Sequence, residues 1–136
     1  MTKEEIINFI KANPTSYLAT IEGDAPHVRA MGTYKVDENG ILIQLSTVKG
    51  MYRELVRNPK VELCYNGSGK MVRISGTAEF LEEQALKEEI VEARPFLKGL
   101  VDTHGWDVIK VFRVANPVAS VWTMATNLEP RELIKL

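Results

Sequence analysis

Val61-Glu62-Leu63-Cys64-Tyr65-Asn66-Gly67-Ser68-Gly69-Lys70-Met71-Val72-Arg73-Ile74-Ser75-Gly76-Thr77-Ala78-Glu79-Phe80 is the stretch that decides the fold class. Val61, Leu63 and Tyr65 alternate with polar or small residues, the period of a half-buried strand. Asn66 to Gly69 is turn chemistry, and Met71 to Phe80 runs on as a long strand. Upstream, Tyr17 to Ile21 reads as a strand, Glu22 to Pro26 as a turn, and about His27 to Val36 as a second strand. Asn39-Gly40 signals a hairpin before a strand over Ile41 to Leu45. Downstream, Val108 to Val114 and Val118 to Thr123 read as two late strands around Asn116-Pro117.

Helices punctuate this pattern. Thr2 and Glu5 form a capping box, Ile6, Phe9 and Ile10 follow at helical spacing, and Asn13-Pro14 stops the run. A short helix from about Val48 to Arg57 carries Met51, Leu55 and Val56 and ends at Asn58-Pro59; another over Glu82 to Arg94 is broken by Pro95. Many short strands interrupted by short helices point to a mainly β barrel with peripheral helices, rather than a layered parallel sheet.

A chain of 136 residues suits one domain spanning 1–136, and 45% hydrophobic residues suffice for a core. A net charge of -1 offers no basic field for nucleic acid or an anionic membrane. The single cysteine, Cys64, excludes an internal disulfide and a cysteine-rich zinc site, and no metal site is expected. Thr2-Lys3-Glu4-Glu5-Ile6-Ile7 is too acidic for a secretion signal, and no apolar run is long enough to span a bilayer. The expectation is a cytoplasmic protein without a membrane partner.

Three motifs, in order and with fitting gaps, carry a resemblance. They are Pro26-His27-Val28-Arg29-Ala30-Met31-Gly32, then Ser46-Thr47-Val48-Lys49 opening a helix that closes at Leu55-Val56-Arg57-Asn58-Pro59-Lys60-Val61, and Val72-Arg73-Ile74-Ser75-Gly76-Thr77-Ala78-Glu79. With Ser120-Val121-Trp122-Thr123-Met124 as a closing strand, nearly the whole chain resembles the FMN-binding split-barrel family related to pyridoxamine 5'-phosphate oxidase. The closing strand looks like that of small members of the family, including those grouped with nitroimidazole-resistance proteins. The resemblance implies a six-stranded split β-barrel of Greek-key type. It also implies a homodimer with FMN held between the subunits. Two departures matter. The chain lacks the C-terminal substrate-binding segment of true pyridoxamine-phosphate oxidases, and Met71 replaces their glutamine on the third-motif strand. Both argue against that specific reaction.

Given this resemblance, Lys49 lies where a strand yields to a helix, so free N–H groups and the helix dipole favour a phosphate. Ser46 and Thr47 add hydroxyl donors, and Arg29 adds a planar fork. On spacing alone, ordinary solvated charges at Lys49 and Arg29 remain an open alternative. Ala30, Met31 and Gly32 would present strand N–H and C=O groups to the flavin's pyrimidine edge, Gly32 permitting close approach. Met71 lies on the third-motif strand. Trp122 is either a core or dimer anchor or a cover for the flavin across the dimer interface. His27 and His104 lack a carboxylate pattern that would orient them, and Cys64 reads as a small core residue. No catalytic side chain stands out. That suits chemistry carried by a flavin. The expected function is an oxidoreductase passing electrons from a reduced nicotinamide or similar donor to a small-molecule acceptor. A non-catalytic flavin or haem binding or electron-transfer protein is the alternative.

Overall fold

The computed structural model describes residues 1–136. β5 (Lys60–Gly67) and β6 (Lys70–Leu81) form the hairpin that the alternation predicts. Their pairing puts Leu63 opposite Ile74 and Tyr65 opposite Val72, all four fully buried. Ser68 and Gly69 make the connection, both with positive φ (49° and 73°), which matches the turn to the right-handed twist of the strands.

β1 (Thr15–Glu22) pairs with β5, and β2 (Ala25–Gly32) with β1. On the other side β7 (Ile109–Thr123) pairs with β6, β4 (Gly40–Ser46) with β7, and β3 (Lys35–Asp37) with β4. β8 (Ile134–Lys135) joins β7 at Val118 and Ala119. The result is an eight-stranded antiparallel sheet of order β2-β1-β5-β6-β7-β4-β3 with β8 off this path. The resemblance implies six strands; β3 and β8, three and two residues long, bring the number to eight. The ladder does not close, because β2 and β3 are not bonded to each other.

Four helices complete the chain: α1 (Lys3–Ala12), α2 (Gly50–Arg57), α3 (Gln84–Ala93) and α4 (Lys98–His104). The capping box forms as predicted, with Thr2 Oγ1 accepting from the Glu5 N–H and Glu5 Oε1 from the Thr2 N–H, both at 3.1 Å. One core cluster draws Leu18 from β1, Val36 from β3, Ile43 from β4, Leu63 from β5, Ile74 from β6 and Phe112 from β7. One face of the sheet therefore curls around a shared interior. Ile6 and Ile10 of α1 and Met51 and Leu55 of α2 also enter this cluster. Each such side chain contributes about 1.5–3 kcal/mol on burial. A second cluster, with Leu42, Ile109 and Val111 under Ile90 of α3, covers the outer face of β4 and β7. No helix is long and apolar enough to cross a membrane.

The structure corrects three readings. The strand expected over His27 to Val36 is broken at Thr33-Tyr34: the Thr33 N–H bonds to Pro14 O at 2.8 Å and the Tyr34 N–H to Leu42 O at 2.9 Å, so the chain changes neighbours there. The two late strands are one, β7. Asn116 takes a left-handed φ of 51°, and the β6–β7 register shifts between Ser75 and Thr77, so a bulge absorbs Pro117 without ending the strand. Gly76 makes this possible, since a Cβ there would lie 2.5 Å from Val114 Cγ1 and 2.7 Å from the Ala115 carbonyl. Cys64 is outside the core; it lies half-buried opposite Tyr17 and Arg73, its thiol pKa pushed up by burial.

Candidate functional site

The opening in the ladder creates a groove. β1 occupies one edge of β2, and no strand pairs with the other. β4 is bonded to β3 only from Gly40 to Leu42, so beyond Leu42 it too lacks a partner on that side. Between these edges lies a cavity of about 650 Å³. Arg29, Ala30 and Met31 line it from β2, and Gln44, Leu45 and Ser46 from β4. Lys49, Gly50, Met51 and Glu54 close it from α2. Phe96, Leu97 and Leu100 add an apolar wall from the 3₁₀ turn Pro95–Leu97 and from α4.

α2 forms because Met51 and Leu55 bury one face, and Asn58-Pro59 stops it. Lys49 is its N-cap, in an extended conformation, and no side chain caps the first turn, which holds no acidic residue. The positive end of the helix dipole thus opens at the groove beside the exposed Lys49 ammonium. Ser46 is buried immediately before it, and the Lys49 N–H bonds to Ser46 O at 3.1 Å.

Arg29 is already engaged. Its Nη1 donates to Thr20 Oγ1 at 2.7 Å and to Leu18 O at 3.3 Å, and its Nη2 donates to Glu54 Oε1 at 2.8 Å. Thr20 Oγ1 donates to the same Glu54 oxygen at 2.5 Å. Glu54 is only 8% exposed. The Thr20 hydrogen bond, with Arg29 behind it, holds its carboxyl below the usual carboxylate range despite burial. Gln44 Oε1 accepts from Arg94 at 3.0 Å, and Arg94 lies 5.2 Å over the Tyr34 ring.

Residues 2–111 match the pyridoxamine 5'-phosphate oxidase family. The chain belongs to that family. No curated protein matches it. Among solved structures, a NimC/NimA family protein from Clostridium acetobutylicum is 26% identical, with a TM-score of 0.79 over 98% of this chain and 92% of that one. A putative pyridoxamine 5'-phosphate oxidase from Listeria innocua shares 20% identity, with a TM-score of 0.68 over 96% of each chain. HutZ, the haem storage protein of Vibrio cholerae, is 18% identical, with a TM-score of 0.60 over 82% of this chain and 87% of that one.

In this member of the pyridoxamine 5'-phosphate oxidase family, five expected site residues share the groove: Arg29, Ala30, Met31, Ser46 and Lys49. Gly32 ends β2 beyond Met31, with open space where a Cβ would stand. Thr47 is half-buried, its N–H bonded to Val108 O at 3.0 Å. Met71 and Trp122 are elsewhere. They pair across β6 and β7 and line a second groove, of about 360 Å³, closed by the C-terminal segment. There the Trp122 indole donates to Asn127 Oδ1 at 2.8 Å. His27 does have a carboxylate neighbour, because the β1–β2 hairpin brings Glu22 within 3.6 Å.

Sequence reasoning missed Gln44, Glu54, Phe96, Leu97 and Leu100. Glu54 had a signal, since it follows Gly50 by one helical turn and so shares a face with the start of α2. Phe96 had none: it is an aromatic after Pro95 that stands 77% exposed at the groove.

Proposed function

We propose that the groove between β2 and β4 holds FMN, and that the protein is a homodimeric, cytoplasmic FMN-dependent oxidoreductase acting on a small molecule. The observation that carries this reading is the uncapped N-terminus of α2, with Lys49 and Ser46 beside it, opening into a cavity bounded by unpaired strand edges. A helix start with no acidic residue in its first turn is receptive to a phosphate. The cavity volume suits a small cofactor. The free edge of β2 at Ala30 offers a backbone donor and acceptor to a heterocycle's polar rim, while the backbone of Met31 faces β1. Phe96, Leu97 and Leu100 offer it apolar cover.

The dimer reading rests on the outer face of the sheet. Tyr17 and Val28, 54% and 68% exposed, stand on one face of β1 and β2, with Ile21 beside them. The same face continues through Cys64 and Arg73 to the strands of Met71 and Trp122. The two grooves are separate within one chain, and an isologous contact through this face would set the second against the first of the partner. Six long strands of a single domain over 1–136 then make a split barrel whose open side is completed by the other subunit.

FMN, when bound, supplies the transfer of hydride or single electrons. The chain's own residues anchor the phosphate at Lys49 and Ser46, orient the ring along β2 and β4, and exclude water with Met31, Phe96 and Leu100. No proton-transferring side chain is required of them. The haem alternative draws on the likeness to HutZ, which speaks to the fold alone. The groove lining includes no histidine, cysteine or tyrosine for an axial bond; its thioethers are Met31 and the core-packed Met51, and this weak axial set favours the flavin. The absorption spectrum of freshly purified protein tests the cofactor: flavin bands support the reading, and a haem band or none overturns it. Anaerobic mixing with NADH or NADPH, followed by bleaching of the flavin band, tests the donor. Sedimentation equilibrium at micromolar concentration tests the dimer.

A further inference from the structure

A buried carboxylate is an unexpected neighbour for an anion. Glu54 lines the same groove as Lys49, is 8% exposed and is held ionised. Its carboxylate turns toward Arg29 and Thr20: Oε1 accepts from Arg29 Nη2 at 2.8 Å and from Thr20 Oγ1 at 2.5 Å. A Cβ on Gly50 would lie 3.7 Å from Oε2, so the other oxygen lies beside the first residue of α2.

Arg29 comes from β2, an edge strand paired on one side only. A long side chain from such a strand has many rotamers open to it, and a free guanidinium would sweep the groove. Here it is tied at Leu18 O, Thr20 Oγ1 and Glu54 Oε1, across both β1 and α2. α2 is also the element whose N-cap is Lys49. The two cationic groups of the groove thus come from elements far apart in sequence, and Glu54 links them.

We propose that Glu54 is a positioning residue: it locks Arg29 of β2 to α2, so that the guanidinium and Lys49 hold a phosphate monoester between them. This rests on the FMN reading and adds to it a residue that touches no part of the cofactor. The arrangement also sets the local charge. Glu54 offsets Arg29, leaving Lys49 and the helix terminus as the unbalanced positive groups. Arg29 retains N–H groups beyond those used internally, since a guanidinium carries five.

The test measures dissociation constants of FMN and riboflavin, by quenching of flavin fluorescence, for the full-length apoprotein and for Glu54→Gln, Glu54→Ala, Arg29→Ala and the Arg29→Ala/Glu54→Ala double variant. Glu54→Gln keeps the size and an acceptor oxygen, so it reports on charge even if Glu54→Ala fails to fold. The expected result is a loss of FMN affinity of about tenfold in Glu54→Ala and a smaller loss in Glu54→Gln, with riboflavin affinity unchanged within about twofold. In the Arg29→Ala background the Glu54 substitution should add less than about twofold, because its effect passes through Arg29. Parallel losses for FMN and riboflavin would show a merely structural role and overturn the proposal. So would an undiminished Glu54 effect without Arg29, or tighter FMN binding in Glu54→Gln. Failure of the unaltered chain to bind FMN overturns the cofactor reading itself, and is distinct from those outcomes because it appears before any substitution.

Discussion

The groove at the start of α2 and the groove behind Trp122 differ in where their polar groups are directed. In the first, the Lys49 ammonium and the first turn of α2 carry no side-chain cap, while Arg29 is held against Glu54. In the second, Arg73 already reaches both Glu62 oxygens at 3.0 Å, the Trp122 N–H is taken by Asn127, and Glu129 and Glu132 line the cavity with Lys70 and Arg131. The first therefore has an anion-receptive end, and the second has a mixed charge around an aromatic plane. A phosphate belongs with the first, and a flat ring can meet either. The difference teaches how the proposed cofactor, with a charged tail and a planar head, would divide between two surfaces, one anion-receptive and one of mixed charge.

The largest expected effect breaks the comparison if it fails. Removing the phosphate should cost FMN most of its preference: riboflavin should bind about 3–5 kcal/mol more weakly, and FAD more weakly than FMN, because the donors gather on one terminal phosphate and favour a monoester dianion over a diphosphate that continues into an adenosine. Calorimetric titration of the apoprotein with the three flavins checks this, and equal affinities would remove the phosphate from the α2 groove. Next comes the single cation. Lys49→Ala should lose about 1.5–3 kcal/mol of FMN affinity, roughly tenfold to a hundredfold. Lys35→Ala should lose none, since Lys35 lies with Asp37 and Glu89, at 3.7 and 3.9 Å, outside the groove.

The second groove is tested by Trp122→Ala. If the indole covers the partner's flavin ring, FMN and riboflavin should weaken alike, by about 1 kcal/mol. A loss confined to FMN would place Trp122 with the phosphate instead.

The smallest effect is one of pH. The second phosphate ionisation lies at about 6, so lowering the pH from 7 to 5 turns the dianion into a monoanion that keeps one charge for Lys49 and the helix start. FMN should weaken by about threefold, short of the roughly tenfold loss of a dianion-only site, and riboflavin should not move. Glu54 does not confuse this window. Its folded pKa is depressed from an ordinary 4.5, so its contribution to stability is present above that value and is lost only as pH falls through the lower, folded one. A riboflavin affinity that changes between pH 7 and 5 would point to another titrating group in the groove.

Much of the fold was legible because its signals are local. Alternation at Val61, Leu63 and Tyr65 gave β5, and Thr2 with Glu5 gave the start of α1. Asn116-Pro117 misled because a proline normally ends a central strand; what accommodates it is Gly76, some forty positions earlier on β6. The groove was legible in Arg29, Ser46 and Lys49 through motif order. Glu54 and Phe96 were not, since neither carries a motif and each becomes a groove residue only when β2, β4 and α4 converge.

By itself, then, the sequence determined the strand periods, the helix caps and stops, and the placement of Lys49 at a helix start, because these depend on neighbours within about a turn or a strand. Only the tertiary structure decided that Arg29 would meet Glu54, 25 residues away, and that Met71 and Trp122 would stand together at a second groove apart from Arg29 and Lys49. The physical reason is the curl of the sheet. Which strand edges stay unpaired, and which face each other across the opening, follows from closing a core around residues drawn from six strands and two helices, and no local pattern encodes that closure.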